Sequence, residues 1–178
     1  MITQDDKTVF TAKNGEQITL RHVREEDAAD IIESVQSIID SGTYIQKERP
    51  RSLQEEKAFI KEIKEKDNFY LGVEMQGKVV GIARVLRGEL QMKRHTGLFR
   101  TWLTDSAQGL GIGKVVMSAT LDWCRKNNLH KLCLTVFASN EVAVKLYEKY
   151  GFTIEGVQRD QAVLNGKYDD EIHMAYFF

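Results

Sequence analysis

The sequence predicts an α/β or α+β fold, a single domain built on one mixed sheet, and three observations carry that prediction. Between Leu98 and Phe137 a strand-like apolar run, a glycine-rich turn, a helical run and a second apolar strand follow one another. That is the order of a right-handed βαβ unit with parallel strands. Asn14-Gly15 and Asn165-Gly166 lie between alternating segments near the two ends and predict antiparallel hairpins. The chain has 178 residues, 42% apolar and 29% charged, without repeats, low-complexity segments or linkers, which suits one globular domain with a real core.

Charge and cysteine content narrow the function classes. A net charge of −1 gives no overall attraction to nucleic acid or to an acidic membrane. Aromatic and basic residues are not interleaved, so a nucleic-acid module is a distant third reading. Cys124 and Cys133 fall in an apolar helix and strand with no CxxC or Cys/His spacing, and read as buried free thiols, not as a metal site or disulfide framework. No basic segment leading into an apolar one opens the sequence, and no run approaches about eighteen apolar residues. The expectation is a soluble, cytoplasmic protein with no membrane span and no metal.

Each element has its own local signal. Val9–Ala12 and Gln17–Val23 are strands around Lys13-Asn14-Gly15-Glu16, residues 1–17 forming an extension ahead of a core from about residue 18 to 178. From Glu25 to Ser41, Ile31, Ile32, Val35, Ile38 and Ile39 mark one face of a helix, and Gly42 suits its end. Ser52 and Glu55, just after the only proline, Pro50, have capping-box spacing. The helix that follows runs to about Lys66 and turns Ala58, Phe59, Ile60 and Ile63 inward. The polar Gly42–Arg51 connection, with Tyr44 exposed, is an empty connector or a substrate flap.

Phe69–Met75 and Lys78–Leu86 are strands about Gln76-Gly77. Strict alternation sets Val79, Gly81, Ala83 and Val85 against Val80, Ile82, Arg84 and Leu86. Arg87-Gly88-Glu89 turns the chain towards the strand ending at Leu103. The helix reaching Lys126 carries Val115, Val116, Met117, Ala119, Leu121, Trp123 and Cys124, apolar enough to be buried on more than one side. After Asn127-Asn128, Lys131–Phe137 is nearly continuous in apolar character, as in a strand covered on both faces. A short helix, Glu141–Tyr150, closes on Gly151, and Phe152–Val163 and Asp170–Phe177 are the last strands.

The stretch Leu103-Thr104-Asp105-Ser106-Ala107-Gln108-Gly109-Leu110-Gly111-Ile112-Gly113-Lys114 carries the chemistry. A strand, a glycine turn and a helix start make a seat for an anion, because the first helical N–H groups lack partners and the dipole is positive there. The bland alternative is a tight turn whose glycines serve packing only. Two phosphate motifs fail on spacing. A P-loop ending at Gly113-Lys114 would need glycine at Gln108 and a hydroxyl at Val115. The dinucleotide fingerprint would need glycine at Lys114. What remains is Q-x-x-G-x-G at Gln108, Gly111 and Gly113, followed about thirty residues on by N-x-x-A-x-x-L-Y-x-x-x-G-F from Asn140 to Phe152, with Asn140, Ala143 and Tyr147 on one helix face.

With both motifs in order on these elements, the chain resembles the GNAT superfamily of N-acyltransferases from Arg21 onward. Glu155-Gly156, the run Asn165 to Asp170 and Met174 resemble the branch containing amino-acid and ribosomal-protein N-acetyltransferases. The resemblance implies a mixed, mostly antiparallel sheet with helices on both faces and a splayed parallel pair, the fourth and fifth strands of the core. It implies acetyl-CoA as co-substrate, with backbone groups near Leu103 pairing with the pantetheine amides. It also implies that Gln108, Gly109, Leu110, Gly111, Ile112, Gly113 and Lys114 surround the pyrophosphate. Asn140 would hold the pantetheine arm, and Tyr147 would protonate the leaving thiolate; the alternative for Tyr147 is an aromatic packed on the sheet.

Many relatives carry a glutamate on the strand before the glycine turn, and Thr96 to Thr104 contains no acid. Asp105, Asp169, Asp170, Glu171, His95 and His173 remain as replacements, none singled out by spacing. Asp169–Glu171 also reads as a polar turn entering the last strand. A site without a strong base suits an α-amine, roughly 15% neutral at pH 7, better than a lysine amine, well under about 0.1% neutral. The expected activity is direct acetyl transfer to a primary amine: an amino acid, a small amine or a protein N-terminus. A non-catalytic acyl-CoA-binding module is the alternative. The acceptor pocket is expected from the Glu25–Ser41 helix, the Gly42–Arg51 connection and a loop from Ala162 to Asp170. The apolar end Tyr176-Phe177-Phe178 is compatible with a homodimer.

Overall fold

The computed structural model describes residues 6–42 and 44–178, so residues 1–5 of the N-terminal extension and Thr43 of the Gly42–Arg51 connection lie outside the description. Its contacts divide into two compact units, residues 1–86 with 100–127, and residues 87–99 with 128–178. In the first unit β1 (Thr8–Thr11), β2 (Gln17–His22), β3 (Phe69–Met75), β4 (Lys78–Arg87) and the second half of β5 (Thr96–Leu103) are neighbours in that order. The pairs from β1 to β4 are antiparallel. Their turns follow from residue type: Gly15 has φ 86°, and Gln76 and Gly77 have φ 52° and 73°, both in the left-handed region that a two-residue hairpin of this hand requires.

Helices cover both faces of this unit. α1 (Ala28–Asp40) and α2 (Leu53–Glu65) bury Ala28, Ile31, Val35, Ile60 and Ile63 against Tyr70, Val79 and Ile82. On the opposite face α3 (Ile112–Lys126) stacks Trp123 on Phe69, ring centroids 5.1 Å apart. The buried side of α3 is broad, but Lys114, Ser118, Asp122 and Arg125 leave one exposed stripe.

Two expectations for this unit change. The β3–β4 register shifts at Val73/Glu74, so Val79 lies opposite Glu74 and joins the face of Ile82, not that of Gly81, Ala83 and Val85. α1 answers the bulge: Asp30 Oδ2 accepts from the Val79 N–H at 3.2 Å, and Ser34 Oγ donates to the Val79 carbonyl at 2.8 Å. In α2, Ala58 is exposed and Glu56 is buried in its place. Positions 56, 60 and 63 form the helical stripe, and Glu56 enters it because both oxygens are satisfied, by the Tyr70 hydroxyl at 2.9 Å and by Arg51 at 3.0 Å. The Ser52–Glu55 capping box is present, Glu55 N donating to Ser52 Oγ at 3.2 Å and Ser52 N to Glu55 at 2.7 Å.

In the second unit the first half of β5, β6 (Lys131–Phe137), β8 (Lys167–Phe177) and β7 (Thr153–Leu164) are neighbours in that order. β5 and β6 are parallel, as the βαβ order predicts, but their ladder holds only Thr96–Leu98 with Lys131–Cys133. β6 pairs antiparallel with β8, and β8 with β7. α4 (Glu141–Tyr150) completes the unit. The expected Ala162–Asp170 loop is strand except at Asn165-Gly166, whose φ values are 51° and 76°, and Asp169–Glu171 lie within β8. Cross-strand pairing from Ala162–Asp169 to Leu164–Lys167 extends the hairpin to its tip. Cys124 is buried but Cys133 only half-buried, and burial pushes its thiol up. No helix among the described residues is long and apolar enough to cross a membrane. The mixed, largely antiparallel sheet with one parallel pair matches the fold class read from the sequence.

One ion pair fixes how the chain leaves β2 for α1. Arg21 donates to both oxygens of Asp27 at 2.8 and 2.9 Å and to Glu74 at 2.8 Å, while Arg24 N donates to Asp27 at 2.7 Å. Burial alone would raise the Asp27 carboxyl; the Arg21 and Arg24 hydrogen bonds and the Arg21 charge outweigh it and hold it below 3.8. A depressed carboxyl stabilises the fold above the unfolded value, and that stability fades as pH falls through the folded one. Asp27→Asn should therefore unfold more easily than the wild type at neutral pH, with the gap closing below about pH 4. Urea unfolding across pH checks this, and a gap of constant size would show that the Asp27 charge contributes nothing.

Candidate functional site

The glycine stretch is located by contacts inside the first unit. A Cβ on Gly81 of β4 would lie 2.4 Å from Leu103 Cδ2 and 3.0 Å from the Trp102 carbonyl, so the end of β5 occupies room that only glycine leaves. Thr104 N then donates to the Val80 carbonyl at 2.9 Å. A single 3₁₀ turn, Asp105–Ala107, follows, and Gln108 returns to extended backbone. The Gln108 amide donates to the Leu103 carbonyl at 3.1 Å, tying the turn to the strand end. Lys13, from the β1–β2 turn, donates its backbone N–H to the Leu110 carbonyl at 3.1 Å, and its aliphatic stem runs beside Gly111. This contact joins positions far apart in sequence, and no local pattern announces it.

The glycines are not explained by packing. A Cβ on Gly109 or Gly113 would meet nothing within 4 Å, and on Gly111 only the Lys13 stem, at 3.5 Å or beyond. Gly109 and Gly111 have a conformational reason, with φ 72° and 80°, Gly111 being the N-cap of α3. Gly113 has neither a steric nor a conformational reason within the chain. On the first helical turn Gly111 and Lys114 are exposed, Gly113 is half-buried and Ile112 is fully buried. A glycine turn that leads into a helix start is the general form in which backbone N–H groups receive an anion, and Lys114 stands at the margin of this one.

The second motif lies in the second unit, on α4. Asn140, Ala143, Tyr147 and Tyr150 are half-buried, and Leu146, off that face, is exposed. Asn140 is the N-cap: its Oδ1 accepts from Ala143 N at 3.3 Å. The Tyr147 ring sits edge-to-face with Phe99 (centroids 6.5 Å apart) and with Phe152 (5.7 Å). Gly151, at φ 104°, ends the helix, and Phe152 N donates to the Tyr147 carbonyl at 3.0 Å. These contacts fix the ring; they make Tyr147 a packed aromatic whatever its hydroxyl does.

Several groups offered as a base already have partners. Asp169 accepts from Ser139 N at 3.2 Å and from the Ser139 hydroxyl, pinning the segment that enters α4. Asp170 accepts from Asp160 N at 2.8 Å, where β7 bulges. His173 shares a hydrogen bond of 3.0 Å with Gln158, and His95 tilts against His130 at 6.2 Å. Asp105 is exposed beside the glycine turn, and Glu171 is half-buried in β8. Among the described residues no group of three or more His, Cys, Asp or Glu is placed to hold a metal ion.

Residues 32–152 match the model of a family described as acetyltransferase (GNAT). The L-amino acid N-acetyltransferase AaaT of Escherichia coli (strain K12) is 30% identical over 102 residues, 57% of this chain and 63% of that protein. The spermidine N(1)-acetyltransferase of the same strain is 29% identical over 106 residues, 59% of this chain and 56% of that one. Each match thus spans less than two thirds of the relative's own length. A solved structure, a GNAT superfamily phosphinothricin acetyltransferase from Sinorhizobium meliloti in complex with AcCoA, shares the fold with a TM-score of 0.82 at 21% identity, covering 95% of this chain and 89% of that one.

The geometry of the turn makes one stability prediction. Gly111→Ala places a Cβ in an open but left-handed position, so it should cost about 1–2 kcal/mol from backbone strain alone. Gly113→Ala, free of that strain, should leave stability within about 0.5 kcal/mol of the wild type. Equal effects of the two substitutions on urea midpoints would contradict this division.

Proposed function

The chain belongs to the acetyltransferase (GNAT) family, and we propose from that premise that it is an acetyl-CoA-dependent N-acetyltransferase acting on a primary amine: an amino acid, a small amine or a protein N-terminus. The observation that carries the reading is the glycine turn whose Cβ positions at Gly109 and Gly113 face open space. A backbone cradle of that kind fits a pyrophosphate, which needs N–H donors and close approach more than it needs side chains.

When bound, acetyl-CoA supplies an acetyl group as a thioester. The N–H groups from Gly109 to Lys114 bind its diphosphate, Lys114 adding a point charge and the Gln108 amide bracing the turn. Backbone groups near Leu103 pair with the pantetheine amides. Asn140, its Oδ1 engaged in capping, has its Nδ2 hydrogens to offer the pantetheine arm. Tyr147 would donate its phenolic proton to the departing sulfur as the amine nitrogen bonds to the acetyl carbon and the C–S bond breaks, while the proton shed by that nitrogen passes to solvent, which returns one to the Tyr147 phenolate. A thiolate with a pKa near about 8.5, by analogy with cysteine, leaves as the neutral thiol at pH 7 once that proton is supplied. No protein nucleophile enters, since positioning an uncharged amine against the thioester supplies most of the acceleration.

Tyr147→Phe keeps the ring contacts with Phe99 and Phe152 and removes only the hydroxyl. It should lower kcat by roughly 10²-fold or more, with the Kd for acetyl-CoA changed less than about twofold. A wild-type kcat would remove Tyr147 as the acid. Thiol release from acetyl-CoA across a panel of α-amines, lysine side-chain amines and polyamines tests the activity itself. Calorimetric binding of acetyl-CoA with no thiol released for any amine would leave a non-catalytic acyl-CoA-binding module.

A further inference from the structure

On the face of the first unit covered by α1 and α2, cations gather round one aromatic ring. The Arg51 guanidinium carbon lies 3.7 Å from the Phe59 centroid and that of Arg84 lies 5.0 Å from it. Glu56 is the buried carboxylate beside them, and its two oxygens are taken, one by Arg51 and the other by the Tyr70 hydroxyl. Arg84 sits directly opposite Tyr70 in the β3–β4 ladder, yet its Nε is buried with no hydrogen-bond partner among the described residues. A buried guanidinium nitrogen without an acceptor is costly, and it calls for one.

The surroundings add positive potential. Burial, and after it the charges of Arg51 and Arg84, pushes the Lys47 ammonium down to about 8, with Glu56 opposing. Burial is likewise the largest influence on Arg84 and lowers it; Arg51 and Arg100 push the same way, against Tyr70 and Glu56. Glu55 cannot relieve the excess, because its carboxylate caps Ser52 N and pairs with Arg49. Lys47 and Arg51 also line an open depression of about 290 Å³ with Glu48, Arg49, Pro50 and Glu55, so these two members of the cluster are reached from solvent, and Arg84 lies behind them on the Phe59 ring. Trp102, on β5 one residue before Leu103, packs against the same apolar cluster as Phe59, which places this face next to the strand end leading into the glycine turn.

We propose that the cluster centred on Arg84, with Lys47 and Arg51, is the seat for a carboxylate of the acceptor, so that the substrates are amines bearing an acid group, amino acids and their derivatives, and not polyamines. This rests on the acetyl-transfer reading above and names its acceptor class. A planar carboxylate can take two parallel hydrogen bonds from the free edge of a guanidinium, which matches the unpaired Nε. A polycation would instead meet like charge on entering.

The test compares three matched acceptors in the wild type: an amino acid, its amide and the corresponding decarboxylated amine, with spermidine as a fourth. The KM for the amide and for the decarboxylated amine should exceed that for the acid by at least about tenfold. Arg84→Gln should abolish that preference and Arg84→Lys restore part of it, with the Kd for acetyl-CoA unchanged. Calorimetry gives a readout without turnover: an N-acetylated amino acid should bind the coenzyme A-loaded protein, and its N-acetyl amide should not. Equal KM values for acid and amide, a preference for spermidine, or Arg84→Gln raising KM alike for acid and amide would overturn the proposal. The wild-type comparison stands even if Arg84→Gln does not fold, and Lys47→Gln, in an open connection, provides a second variant with the same expected direction. If acetyl-CoA binds but no amine is turned over, the acetyl-transfer reading fails, and calorimetry with the N-acetylated pair alone decides the carboxylate seat.

Discussion

The first unit depends on the missing side chain at Gly81. Because no Cβ stands there, Leu103 and the Trp102 carbonyl approach β4 closely enough for Thr104 N to bond the Val80 carbonyl. Those contacts set where β5 ends, and the Gln108 amide on the Leu103 carbonyl sets where the glycine turn begins. The other face of β4 has the opposite character. There a bulge exposes both backbone groups of Val79 to α1, and Arg84 stands among Phe59, Tyr70 and Arg51. One strand therefore carries an apolar contact that places the glycine turn on one side and a cationic cluster on the other.

Glu56 shows how that cluster is tolerated. Burying a lone carboxylate would cost several kcal/mol, more than helix propensity could offset. Its two partners remove the penalty only in part, because the phenol of Tyr70 must stay protonated to donate. Burial and the Glu56 charge ensure that by holding Tyr70 well above its usual range. Arg51 pairs with Glu56, so that one buried carboxylate faces three cations, Arg51, Arg84 and Lys47. A core chosen for stability alone would place a leucine at position 56 and drop the arginines. A buried polar network that leaves the Arg84 Nε without an acceptor departs from what stability alone would select.

Much of the fold was legible because its signals are local. Asn14-Gly15 and Asn165-Gly166 require positive φ, Ser52 and Glu55 cap reciprocally, and Gly151 ends α4; each depends on residues a few positions apart. The misreadings have long-range causes. Nothing within β4 says that its register with β3 shifts, so strict alternation put Val79 on the wrong face. Glu56 and Ala58 exchanged places because a charged residue in a helix reads as solvent-facing unless its partners, Tyr70 and Arg51, are known. The Ala162–Asp170 segment read as loop for its polar content, although on an exposed edge pair such content is compatible with strand.

The same distinction separates the two substrates of the proposed reaction. A phosphate held by consecutive backbone N–H groups asks for glycines at fixed spacing, and the proposal for Gln108, Gly111 and Gly113 rests on such a spacing. An acceptor held by side chains needs no spacing at all. Lys47 comes from a connection, Arg51 from the approach to α2 and Arg84 from the middle of β4, and only the folded chain gathers them. Positions of that kind can change without disturbing the glycine turn, since Arg84 lies on the face of β4 opposite Gly81 and its Leu103 contact, and Lys47 and Arg51 lie outside the sheet. A fold arranged in this way can keep one acyl donor while its acceptor varies, and under the proposed reading the charge of the α1–α2 face, more than the motif, would set which amine is acetylated.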